Sequence, residues 1–218
     1  VLCCCAGVEN ALSRVVTELF QEKWRAISTS DPLKSVVSGG ALASSMAEVF
    51  MAGYQTAMRQ SFGFDGPDWA AFCVSEGADG YPPVTINEDG TLSGYKTWVA
   101  AAAVTQQFLL KVGRGGEARY HVLARDAPGL TIEMKAEAEF LPELGVGRLA
   151  LDHVFMGPAL TLDRSQLKAF PKIEAGCILL AFLGFLQANG QRDVGAIIET
   201  LGPQVMAEPL GPALEELA

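Results

Sequence analysis

Glu174 stands alone before twelve apolar residues, Ala175–Leu186. The run is too short to span a bilayer and reads as a buried helix over 171–188, with Glu174 at its head. A carboxyl set against apolar surface loses hydration, and its pKa climbs toward the pH at which a general base works. The position equally suits a solvated acid favoured by the helix dipole. Two other stretches break the apolar pattern. "AFCVSEG", Ala71–Gly77, closes an apolar run with Ser75, Glu76 and Gly77, and "GYKTWVAAA", Gly94–Ala102, carries Trp98 inside another. Taken alone, a strand tryptophan is core and Ser-Glu-Gly is a turn. Whether the two stretches belong to one site depends on the elements that carry them.

The other reactive side chains point to less. His121 lies within an alternating strand, and His153 follows Asp152 near a strand end. Adjacent strand residues face opposite sides, so this pair builds no triad. Gly-x-Ser-x-Gly, Walker and paired metal motifs are absent from the sequence, and no metal is expected. Cysteines fall at 3, 4, 5, 73 and 177. Three in a row cannot easily close a tetrahedral site, and the set is no disulfide framework. A reducing, cytoplasmic setting is the expectation. The net charge of −9, from 16 Lys and Arg against 25 Asp and Glu, argues against nucleic acid as a partner.

Helical periodicity places one amphipathic helix over 9–27 and a second from about Ala41 to Phe62, separated by a loop at Ser28–Pro32. The pattern then turns to short runs rich in Val, Leu, Thr, Phe and Tyr: 71–75, 83–87, 91–101, 106–112, 117–125, 129–135 and 147–155. Turn sequences such as "NEDG", "GRGG" and "DAPG" divide them. From Ser165 the helical period returns, with helices over 171–188 and 194–201 and an irregular tail carrying Pro203, Pro209 and Pro212. The expected fold is α+β, with N-terminal helices over 1–68, a central antiparallel barrel or sandwich over 69–164 and a short helical segment over 165–218.

The order and spacing of these stretches resemble the central β domain of acyl-CoA dehydrogenases. The resemblance rests on "AFCVSEG", "GTLSGYKTWVAAA", "FLLKVG", "HVLARDAPGLTIE" and "RLALDHVFMGP". It covers about 71–160 clearly, extends over 165–190, and over 1–60 amounts only to helical content. It implies FAD as the cofactor and an acyl-CoA or similar acyl thioester as substrate, dehydrogenated at Cα–Cβ. Residues matching the family's flavin contacts are Phe72, Val74, Ser75, Trp98 and Ala100, so the two stretches would be walls of one flavin slot. An indole gives the ring a rigid apolar wall, and a hydroxyl or backbone group bonds its polar edge.

Glu174 matches the catalytic base of the isovaleryl-type branch, which lies ten residues before a glycine, here Gly184. Three departures stand against retained chemistry. Ala100 replaces the family's hydroxyl-bearing threonine. "GADGYPP" keeps Asp79 and Gly80 of a Gly-Ser-Asp segment but lacks its serine. At most two helices follow Arg164 where the family has a four-helix bundle. A non-catalytic member that binds a partner or acyl ligand is therefore the competing expectation. Loss of helical cover would expose apolar surface, so a homo-oligomer, joined through the helix 171–188, is expected too.

Overall fold

The computed structural model describes residues 18–27, 31–64, 66–136, 141–191 and 193–207. The residues sort into two compact units, one containing Asp68–Thr161 and the other combining 16–67 with 162–218. The helical segments at the two ends of the sequence thus form one unit.

The β unit is a sandwich of two four-stranded sheets. One has the order β1 (Ala70–Cys73), β4 (Gln107–Val112), β5 (Arg119–Ala124), β8 (Ala159–Leu160). The other has the order β2 (Thr85–Ile86), β3 (Leu92–Val99), β7 (Gly147–Val154), β6 (Leu130–Met134). Six of these strands lie within the runs expected from alternation, β1 begins one residue before its run, and β8 is an addition. Among the described residues every ladder is antiparallel except β1 with β4, which is parallel. Ala71, Cys73, Phe108, Leu110, Leu149 and Leu151 point between the sheets and form its dry core.

The helical unit holds α1 over 18–27, α2 (Pro32–Leu42), α3 (Met46–Phe62), α4 (Arg164–Ala188) and α5 (Val194–Met206). Two helix starts differ from the sequence expectation, and each has a local cause. The helix expected from Ala41 is two helices, because Ser45 caps α3 at the amide of Glu48 and the Glu48 carboxylate reaches back to the Ser44 amide. Asp31 and Pro32 start α2, accepting from the Lys34 amide and supplying a proline in the first turn. The helix expected from 171 begins at Arg164, where Asp163 and Gln166 form a reciprocal capping box. Pro171 lies inside it, as Pro203 lies inside α5, so Pro203 is helical and not part of an irregular tail. Residues 9–17, Cys3–Cys5, Pro209 and Pro212 fall outside the described residues.

α4 is long and apolar enough to cross a membrane by length and composition. In this unit it packs on α2, α3 and α5, burying Ile173, Cys177, Leu180 and Ala181. Contact is close because glycine faces it: a Cβ on Gly40 of α2 would lie 1.8 Å from the Ala181 carbonyl oxygen. A Cβ on Gly53 of α3 would lie 2.5 Å from the Ile178 Cα.

Candidate functional site

Strand alternation sets the first wall of the site. Ala71 and Cys73 face the sandwich core, so Phe72 and Val74 face away from it. Phe72 is half-buried with its ring 6.0 Å from that of Tyr120, while Val74 and Ser75 are exposed just past the end of β1. The Ser75 hydroxyl has no hydrogen-bond partner among the described residues.

The second wall comes from β3. Its pairing with β7 shifts register between Lys96 and Val99. Such a bulge frees backbone groups and re-aims side chains. The freed Thr97 amide donates to the Ser75 carbonyl at 2.9 Å, so the backbones of the two stretches meet directly. Trp98, next in the chain, is half-buried. Ala100 is fully buried in the turn after β3, and its carbonyl accepts from the Thr105 hydroxyl at 3.1 Å. It therefore offers neither a hydroxyl nor a surface. The structure joins the backbones of Ser75 and Thr97, the neighbour of Trp98, with Phe72 in β1 and Val74 just past its end, while Ala100 is buried.

Three residues that sequence reasoning left without a role hold this junction. Lys96 is wholly buried and donates to Glu76 Oε1 at 2.5 Å and to the Lys111 carbonyl of β4. Burial pulls the Lys96 pKa below the usual lysine value, and the Glu76 carboxylate pulls it back up. Removing one partner from such a pair costs about 3–5 kcal/mol, because the other charge is left buried and alone. Cys73 lies within reach of the Lys96 charge, but burial dominates and pushes its thiol up to about 12, far from a reactive thiolate. A lysine inside an apolar strand demands a carboxylate, and the glutamate of "SEG" was the available signal.

The segment after Gly77 forms a surface cluster. Asp79, at φ 57°, pairs with Lys135 at 3.7 Å. Tyr81 packs on Tyr95 at 4.7 Å, and the Arg148 guanidinium lies 4.2 Å over the Tyr81 ring. An aromatic and arginine stack thus follows Asp79 and Gly80, in the stretch that departs from the family's Gly-Ser-Asp segment.

His153 corrects another expectation. Its φ of 51° breaks the strand alternation, so Nδ1 reaches Asp152 Oδ1 at 2.9 Å despite their adjacency. The bond raises the His153 pKa, and both side chains are exposed. His121 is buried, with Nδ1 3.0 Å from the Gly157 carbonyl. Among the described residues no three His, Cys, Asp or Glu side chains gather as a metal site would require.

Glu174 belongs to the helical unit. Because α4 starts at Arg164, Glu174 lies in its third turn and not at its head. The helix-dipole account of this acid is thereby removed. Its carboxyl is half-buried, and desolvation raises its pKa above 4.5. It also raises the thiol of Cys177, one turn on, which burial pushes up to about 12. Gly184 has a packing role: a Cβ there would lie 2.2 Å from the Val37 carbonyl oxygen.

No protein-family model and no curated protein matches the sequence. Solved structures do match. The chain superposes on PigA in complex with FAD with a TM-score of 0.62 and 14% identity, over 92% of this chain and 70% of that one. Butyryl-CoA dehydrogenase from Megasphaera elsdenii gives 0.53 and 14%, over 88% and 67%. The prolyl acyl carrier protein oxidase AnaB gives 0.55 and 17%, over 72% of this chain and only 50% of its own. This is the acyl-CoA dehydrogenase fold. The chain thus spans half to about 70% of these proteins' lengths. Within the acyl-CoA dehydrogenase fold, the bulged strand and the end of β1 form the wall described above.

Proposed function

We propose that the β unit binds FAD along the wall of Phe72, Val74, Ser75 and Trp98, and that the chain dehydrogenates an acyl thioester at Cα–Cβ. The observation that carries this reading is the Thr97 amide bond to the Ser75 carbonyl at 2.9 Å, which joins the backbone beside Trp98 to that of Ser75. The fit is favourable. Val74 and Ser75 are exposed and Trp98 is half-exposed, so a planar ligand meets apolar surface, an aromatic side chain and a hydroxyl donor. Fold neighbours include a complex with FAD, a CoA-thioester dehydrogenase and a carrier-protein oxidase, which supports FAD and an acyl thioester as ligand classes.

Glu174 is the proposed base. Its partly desolvated carboxylate holds the proton removed from Cα more tightly than a solvated one would. FAD held along Phe72, Val74, Ser75 and Trp98 would supply the two-electron oxidant that a Cα–Cβ dehydrogenation requires. Free, buried Cys73 and Cys177 fit a reducing compartment. Exposed Leu179 on α4 supports self-association through that helix.

The test is the absorption spectrum of the purified protein, followed by anaerobic addition of acyl-CoA. A flavin spectrum that bleaches in wild type and persists in Glu174→Gln supports the reading. Equal bleaching in both removes Glu174 as base. A second reading, a binding subunit of this fold without redox chemistry, is favoured by the buried Ala100, which presents no hydroxyl. A colourless protein that FAD does not reconstitute decides for that second reading.

A further inference from the structure

β1 and β3 belong to different sheets, and no ladder pairs them. Apart from core packing, what joins the end of β1 to β3 is a small set of polar contacts. The Lys96 ammonium, from the sheet of β3, crosses to Glu76 just past β1 and to the Lys111 carbonyl of β4. Glu76 Oε1 also accepts from the Val84 amide at 3.4 Å. One residue away on each side of the ion pair, the Thr97 amide bonds the Ser75 carbonyl. Residues of the two walls therefore lie close to the two charges in the chain: Ser75 precedes Glu76, and Trp98 stands two residues beyond Lys96.

We infer that Glu76 and Lys96 form a latch that positions Ser75 against the Thr97–Trp98 bulge. With Lys96 wholly buried, the pair acts on a ligand through the residues beside it. Two facts favour a latch over simple core filling. First, an apolar side chain at 96 would join the surrounding core without cost, whereas a buried ammonium is retained only with partners. Second, its partners are not beside it on its own sheet but on the strand end and the strand opposite, where only a long side chain with several donors reaches both. The latch is a property of the apo chain; only its consequence for a flavin rests on the proposed function.

Amide hydrogen exchange at Thr97 reads the latch directly, with the β4–β5 ladder amides of Phe108 and Leu123 as the measure of an intact sandwich. The proteins compared are wild type, Glu76→Gln, and Glu76→Gln combined with Lys96→Met, which removes both charges and keeps the volume. In both variants the ladder should stay protected while Thr97 exchanges at least about tenfold faster. FAD, added as the probe, should bind at least about tenfold more weakly to both. Thr97 protection that stays at the wild-type level in the double variant overturns the latch. So does loss of ladder protection in both variants, because the pair would then hold up the whole sandwich. Unchanged FAD affinity beside fast Thr97 exchange overturns its positioning role. A wild type that binds no FAD rejects the proposed function instead, and Thr97 exchange alone then decides the latch.

Discussion

Ser75, Trp98 and Glu174 make separable predictions. The Ser75 hydroxyl can give a ligand one hydrogen bond, worth about 1 kcal/mol net, so Ser75→Ala should weaken FAD binding about fivefold. Trp98→Ala removes a large planar contact and should cost roughly 2 kcal/mol or more, about thirtyfold. Fluorescence titration of the two variants checks the ranking, and equal affinity of wild type and Trp98→Ala takes Trp98 out of the wall. Glu174 is testable without any ligand. Desolvation raises its folded pKa above the ordinary 4.5. Below that value the carboxyl is protonated in both folded and unfolded chains and carries no penalty. As pH rises through the folded value, ionisation inside the fold becomes a cost that the unfolded chain escapes. Glu174→Gln should thus have a higher denaturant midpoint than wild type at pH 8, and the same midpoint at pH 4. Parallel midpoints across that range would mean the carboxyl is fully solvated.

At the scale of elements, helix starts were written in the sequence more plainly than periodicity showed. Asp31-Pro32, Ser45-x-x-Glu48 and Asp163-x-x-Gln166 are all start signals, and all three cap helices. α2 escapes a periodicity argument because "SVVSGG" is poor in helix formers. Its glycines are tolerated because they let α4 approach. Gly40→Ala should therefore destabilise the helical unit by about 1–3 kcal/mol, the range for overpacking, although alanine is the better helix former. Chemical denaturation of the variant measures this; a stabilised variant would show that α2 and α4 are not in contact at Gly40. The strands were better marked, because alternation and turn sequences agree at almost every boundary. β8, Ala159–Leu160, was missed because, unlike the equally short β2, it lies in no longer β-rich run.

For the whole molecule, the exposed apolar side chains decide the prediction. Leu179 of α4 is 44% exposed and Ile197 of α5 is 44% exposed, while Phe155, just past β7, is 76% exposed. A second copy of the chain on α4 would remove Leu179 from water. Light scattering coupled to size exclusion should then show an oligomer at micromolar concentration, and Leu179→Glu should shift it toward monomer. A monodisperse wild-type monomer counts against this.

The α+β class and the seven strand runs could be read from the sequence, because period-two alternation and turn chemistry are local and survive in a single chain; the proximity of "AFCVSEG" to "GYKTWVAAA" was implied only by the family resemblance. Three things were decided only by tertiary structure. The union of the first and last helices in one unit depends on contacts between residues more than a hundred positions apart, such as Gln60 with Met206. The place of Glu174 depends on where α4 begins, which Asp163 and Gln166 fix through a hydrogen-bonded box that a proline at 171 concealed. The burial of Lys96 depends on the opposite sheet closing over β3. The sequence shows an ordinary charged residue there, and only the packed sandwich turns it into an ion pair with Glu76 that joins the two walls of the site.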